Sequence, residues 1–167
     1  MGLYKYIRDT FKQQNSDKGY KDRLIKWRKE PVTVRLDRPT RLDRARAVGY
    51  RAKQGILVVR QKALRGGRMR PKFKGGRRPK AMRRKLVLSK SYQWICEERV
   101  NKKYPNCEVL NSYHVGQDGK NIWYEVILVD RSHPQIKKDK SLSQLGKSRV
   151  FRGLTSAAKK SGKANKG

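Results

Sequence analysis

Acidic side chains are scarce in this 167-residue chain: 13 Asp and Glu stand against 45 Lys and Arg, giving a formal charge of +32. Confined to a compact volume, such a charge opposes folding through self-repulsion, so an anionic partner is expected in the stable state. An acidic small molecule needs only a few cations, which leaves a polyphosphate as the natural partner and no small-molecule substrate. Cysteine is also scarce. Cys96 and Cys107 are too few for the disulfide framework of a small secreted protein. Long apolar runs are missing, since the longest aliphatic stretches, residues 56–59 and 126–129, hold four residues each, far below a membrane span. The N-terminal MGLYKYIRDT has no apolar h-region, so no secretory signal and no membrane role are expected. Hydrophobic residues make up only 35%, below the share of a well-filled core. Three Trp and eight Tyr are nonetheless too many apolar anchors for a wholly disordered chain. These limits describe a reduced cytoplasmic chain with one compact body and extensions.

The cations are unevenly spread. Residues 1–34 carry nine basic and four acidic groups, residues 35–85 twenty and two, residues 86–130 five and six, and residues 131–167 eleven and one. A nearly neutral island thus sits between strongly basic segments, the pattern of a folded body with nucleic-acid-binding extensions. Four regions are expected: residues 1–64, with N-terminal helices, a first strand and the basic RPTRLDRAR segment; an Arg/Gly/Pro-rich arm over 65–85; a helix–strand–strand core over 86–130; and a basic C-terminal extension over 131–167.

The island's patterning predicts its elements. Ser89 is a candidate N-cap for a helix over about 90–103, with Tyr92, Ile95, Cys96 and Val100 on one apolar stripe, Glu97 and Glu98 turned away, and Pro105 closing it. A strand is predicted over 109–115 with Val109, Asn111, Tyr113 and Val115 on one face, then a turn at Asp118-Gly119. The strand after it, 122–129, is apolar without alternation, so helices should cover the sheet on both sides. Residues 56–59 supply a further strand. Upstream, Leu3, Ile7 and Phe11 recur at helical spacing, as do Leu24 and Trp27. Thr40 and Asp43 have capping-box spacing, which predicts a short helix over 42–48. The fold class expected is α+β, a small mixed sheet with helices packed on it and long basic non-globular extensions that order on RNA.

The arm reads RGGRMRPKFKGGRRPKAMRRK and has no period that could bury a face. Paired glycines let its backbone approach a surface, and prolines keep it extended. Fourteen of the twenty cations in residues 35–85 are Arg, whose guanidinium grips phosphate bidentately and stacks on bases. On charge alone, Arg35, Lys72, Lys74, Arg77, Arg78, Arg83 and Arg84 are expected to contact RNA.

Catalytic constellations are not found. Gly146-Lys147-Ser148 has the end of a P-loop, but Ser141 stands where its first glycine is needed and no apolar strand leads in. Cys96, Cys107, His114 and His133 have no close-paired metal spacing; a buried thiol, a half-buried strand histidine and a loop histidine are the simpler readings. No enzyme activity, metal or cofactor is expected. Two other classes, a nucleoid-type DNA-compacting protein and an RNA-processing enzyme, share the charge but not the remaining pattern.

Several stretches resemble the archaeal and eukaryotic large-subunit ribosomal protein fifteen-e family. They are GLYKYIRD at the N-terminus, RPTRLDRARAVGYRAKQG over 38–55, RGGRMRP over 65–71, CEERV from Cys96, VLNSYHVGQDG from Val109, YEVILVD from Tyr124 and FRGLTSA from Phe151. Their order matches the family over about residues 2–158, and GQDG and RLDRAR lean towards an archaeal source. The resemblance implies a non-catalytic structural constituent of the large ribosomal subunit, in the cytoplasm. Its partners would be ribosomal RNA and neighbouring large-subunit proteins, with no homo-oligomer. By carry-over, RNA contact is expected from Arg38, Arg41, Arg44, Arg46, Arg51, Lys53, Arg65, Arg68, Arg70 and Arg152. Relatives commonly continue with a longer basic tail after the LTSA stretch, and residues 72–85 match no family motif.

Overall fold

The computed structural model describes residues 2–13, 18–69, 85–86 and 88–161. Its elements run α1 (Leu3–Gln13), α2 (Lys18–Lys29), β1 (Thr33–Leu36), α3 (Leu42–Ala47), β2 (Ile56–Leu64), β3 (Arg68–Met69), β4 (Lys85–Leu86), α4 (Tyr92–Lys103), β5 (Cys107–Gln117), β6 (Asn121–Asp130), α5 (Pro134–Lys137), α6 (Lys140–Ser143) and α7 (Ser156–Lys160). The fold is α+β, as expected. The four-stranded sheet, ordered β1-β2-β6-β5, is antiparallel throughout, where a mixed sheet was expected. The β5–β6 hairpin forces this for its own pair: Asp118 N–H donates to the Asn121 carbonyl, and Asp118 Oδ1 accepts from Lys120 and Asn121 N–H. Strand β2 then pairs antiparallel with β6 along nine residues, and β1 with β2.

Both faces of β6 are buried, which is why its sequence does not alternate. On one face Val126 and Leu128 pack with Val59, Trp94, Val100 and Val109 under α4, and with Val150, Ala157 and Ala158 of the C-terminal segment. On the other, Trp123 and Ile127 pack with Leu24 and Trp27 of α2, Ala45 of α3 and Tyr113 and Val115 of β5. Ile136 and Leu142 extend this second layer over Val129. The basic C-terminal segment, expected as a non-globular extension, is therefore part of the body as far as residue 161. Three of its apolar residues, Ile136, Leu142 and Val150, are buried in that body, which the charge average conceals. No helix among the described residues is long and apolar enough to cross a membrane.

Local details depart from the pattern-based expectations. The α4 cap is Ser91, whose hydroxyl accepts from Trp94 N–H, and not Ser89. Thr40 and Asp43 form no capping box: the N-cap of α3 is Arg41, without a side-chain cap bond, while Thr40 N–H donates to Glu125 of β6 at 3.0 Å. Strand β5 has register shifts between Val109 and Asn111 and between His114 and Gly116. Each inserts a residue and moves the following side chains to the other face. Val109 consequently lies under α4 while Tyr113 and Val115 face α2. Gly116 lets α2 come close, since a Cβ there would sit 2.9 Å from the Tyr20 hydroxyl and 3.3 Å from Leu24 and Trp27.

Candidate nucleic-acid interface

The interior polar groups decide which cations are free. Glu97 does not turn to solvent; it is fully buried. Its helix position, three residues from both Trp94 and Val100, faces the sheet, and its carboxylate accepts from the Ser112 and Thr155 hydroxyls. Burial raises its pKa, opposed by those two hydrogen bonds and by Arg149. Gln93 holds Ser112 in place, donating to its carbonyl and hydroxyl at 2.9 Å. On the other face Glu125 accepts from Tyr113 Oη and Thr40 N–H, and burial beside that carboxylate pushes the Tyr113 phenol far up. Burial also pushes the Cys96 thiol up to about 12, the property of an inert core thiol. His114 is exposed and stands edge-on to Tyr124 at 5.6 Å, with its pKa lowered by desolvation.

Arginines divide by what they already touch. Arg60 is buried, paired with Glu30 and stacked over Trp27 at 4.3 Å. Arg149 donates to the Val109 and Leu110 carbonyls, at the first register shift of β5. Neither was expected as a structural cation, because both sit in basic or strand sequence that hides their packing role. Arg41 is engaged inside as well: its side chain is 16% exposed, pairs with Asp43 at 3.0 Å and lies over the Phe11 ring at 4.7 Å.

The remaining expected contacts lie nearer solvent. Arg35 at edge strand β1, Arg38 in the next turn and Arg44 on α3 are exposed, and no hydrogen bond or ion pair holds their side chains among the described residues. Arg46 is exposed and leans over Tyr4, donating to its hydroxyl. Arg51 and Lys53 share Asp139, at 2.9 and 2.6 Å, and this pairing lowers the Asp139 pKa through the Lys53 hydrogen bond first. Arg65 is exposed, with Nη1 donating to the Asp118 carbonyl at 2.6 Å. Arg152 is exposed on the turn before α7.

The root of the arm is fastened. Arg65 N–H donates to the Lys120 carbonyl at 2.8 Å. Gly66 N–H donates to Tyr92 Oη at 2.7 Å, and that hydroxyl donates back to the Gly66 carbonyl at 3.0 Å. Strands β3 and β4 then pair Arg68 with Leu86 and Met69 with Lys85, holding the two ends of the arm together where no regular structure was expected. Arg70, Lys72, Lys74, Arg77, Arg78, Arg83 and Arg84 lie outside the described residues. The arrangement presents cations at the β1–α3 edge, at the arm root and at the C-terminal turn, with no cluster of His, Cys, Asp and Glu able to hold a metal among the described residues.

The family model described as Ribosomal L15 matches residues 2–167 of the chain. The large ribosomal subunit protein eL15 of Picrophilus torridus is 52% identical over 169 residues, covering 96% of this chain and 87% of that protein. The protein of the same description from Methanocella arvoryzae is 54% identical over 167 residues, covering 94% of this chain and 84% of its own.

Proposed function

This chain belongs to the ribosomal L15 family, and from that premise we propose how it grips its RNA. It is a structural constituent of the large ribosomal subunit, not an enzyme, and works in the ribosome in the cytoplasm, against ribosomal RNA and neighbouring subunit proteins. The grip is electrostatic and geometric. A-form RNA offers phosphates, 2′-hydroxyls and shape more than readable base edges, so positioned cations suffice. Arg35, Arg38 and Arg44 take phosphates at the β1–α3 edge, joined by Arg46, Arg51, Lys53 and Arg65, and Arg152 takes one at the C-terminal turn. Arg68, Arg70, Lys72, Lys74, Arg77, Arg78, Arg83 and Arg84 supply the arm's contacts. Arg41 acts indirectly, by docking α1 against α3. The four regions 1–64, 65–85, 86–130 and 131–167 are proposed as body, arm, core and C-terminal basic segment in this division of labour.

One observation supports the reading most: Arg35, Arg38 and Arg44 are exposed, with no side-chain bond among the described residues, while Arg41 and Arg60 beside them are engaged within the protein. Six to ten phosphate contacts predict a fall in affinity of roughly 10³- to 10⁵-fold between 50 and 200 mM salt. The test is a sucrose gradient of native lysate, repeated after a high-salt wash and after RNase. The protein should co-sediment with the large subunit through the wash and leave it with RNase. Release at modest salt would assign the charge to another nucleic acid.

A further inference from the structure

We propose that the turn at residues 147–154 presents Phe151 as a stacking platform for one unpaired nucleobase of ribosomal RNA, with Arg152 on an adjoining phosphate. This rests on the reading of the chain as an RNA-bound subunit protein and adds a base contact to a grip otherwise made through phosphates.

The turn is held from both sides. Before the ring, Ser148 N–H donates to Glu108 at 2.9 Å, Arg149 donates to the Val109 and Leu110 carbonyls, and the Val150 side chain is fully buried while its carbonyl accepts from Trp94 Nε1 at 3.0 Å. After it, Thr155 donates to buried Glu97 at 2.6 Å and caps α7. Between these points the backbone closes on itself: Arg152 N–H reaches the Ser148 carbonyl, Gly153 N–H that of Val150, and Leu154 N–H that of Arg149. Two residues are left-handed, Gly153 at φ 77° and Ser148 at φ 55°. For serine that conformation is disfavoured and persists only where the surroundings impose it.

The result of this fastening is an outward-facing aromatic. Phe151 is 44% exposed and Leu154 40%, immediately beside a fully buried valine. Scattered exposed apolar residues are ordinary. A phenyl ring on a braced, partly left-handed turn is less so, because tethering α7 to the body requires no ring there. The surroundings select the occupant: Lys147, Arg152, Lys159 and Lys160 are exposed, and the one acidic residue of 131–167, Asp139, is already paired with Arg51 and Lys53. A polyanion with π-faced groups fits both features, and every nucleobase has such a face. Arg152, next to Phe151 in the chain, is given room by Gly146, where a Cβ would come within 2.6 Å of its Nη2.

The test uses the full chain and deproteinised large-subunit RNA at fixed salt. Phe151→Ala should weaken binding roughly 5- to 150-fold with an unchanged salt slope, the effect of losing one stacked base. Phe151→Trp should bind like wild type, and Phe151→Leu, apolar but without a π-face, should lose binding like alanine. Arg152→Ala should instead lower the salt slope by about one. Base-specific chemical probing should find one unpaired base protected by wild type and Phe151→Trp and reactive with Phe151→Leu. Wild-type affinity for Phe151→Ala or Phe151→Leu on naked RNA overturns the proposal, and a defect confined to the assembled subunit overturns it in favour of a protein neighbour. Failure of wild type to bind the RNA would reject the subunit-RNA reading itself, a separate result.

Discussion

The sheet face under α4 buries one carboxylate, Glu97, with both oxygens hydrogen-bonded; the opposite face buries Glu108 and Glu125, each with one oxygen bonded and one without a partner. Arg41 Nε and Asp43 Oδ1, the other unpartnered buried atoms among the described residues, belong to that second face too. The α4 face is joined by neutral donors from distant chain segments: Ser112, Thr155 and the Trp94 indole. The α2–α3 face is joined by cations on rings, Arg60 over Trp27 and Arg41 over Phe11, and α1 adds no buried residue to it. The α4 face has one such contact, Lys90 over Trp94 at 4.9 Å, so in a chain with 45 cations and 13 anions the arginine–ring stacks among the described residues gather on the α1–α3 side. Arg38 and Arg44, exposed and without a side-chain bond among the described residues, lie in the same chain segment as Arg41 of that second face.

If that contrast is right, the α4 face is where substitution should damage the fold most. Trp94→Ala removes a fully buried indole and the bond to Val150, and should cost about 3–5 kcal/mol of unfolding free energy, measured by urea denaturation of the full chain. Glu97→Ala leaves two buried hydroxyls without their acceptor and should cost about 2–4 kcal/mol. Glu97→Gln keeps an acceptor oxygen and sheds the buried charge, so its loss should be smaller. It should also change the pH profile. Because the folded-state pKa of Glu97 is raised above 4.5, the folded chain binds more protons than the unfolded one between 4.5 and that raised value. Wild-type stability should therefore fall as pH rises through that window and level off above it, and Glu97→Gln should lose this slope. A slope that survives in Glu97→Gln would show that another group carries it.

Much of this face was legible in the sequence, and its failures have one cause. The unalternating run 122–129 announced a strand buried on both sides, and the helix before it followed from Tyr92, Cys96 and Val100. A carboxylate on a helix ordinarily faces solvent, and Glu97 departs from that expectation. Its two hydroxyl donors come from 15 and 58 residues away, and no local pattern reports them. The β5 bulges were invisible for the same reason, since one inserted residue leaves composition unchanged while switching faces. The candidate site was legible as charge but not as partition: Arg41 and Arg44 read alike in RLDRAR, and only the tertiary contacts separate them. Tyr92 shows the limit from the other side, its ring foreseen on the helix stripe and its hydroxyl, which fastens Gly66, not.

That partition gives the sharpest and smallest prediction. Arg41→Ala and Arg44→Ala each delete one guanidinium three residues apart, so a protein bound only through total charge would respond to both alike. Arg41→Ala should destabilise the free chain by about 1–2 kcal/mol, since it strips Asp43 of its partner and Phe11 of its stacked cation in a half-buried place. Its effect on RNA binding should follow from that loosening of α1 and leave the salt slope nearly unchanged. Arg44→Ala should leave unfolding within about 0.5 kcal/mol of wild type, because its side chain is exposed and bonds to nothing among the described residues. It should instead reduce the salt slope of RNA binding by about one, the signature of a lost phosphate contact. Thermal melts paired with binding titrations at several salt concentrations separate the two. Equal slopes for both variants would mean that the inward and outward arginines are energetically one population, and the distinction between the two faces would then stop at the protein surface.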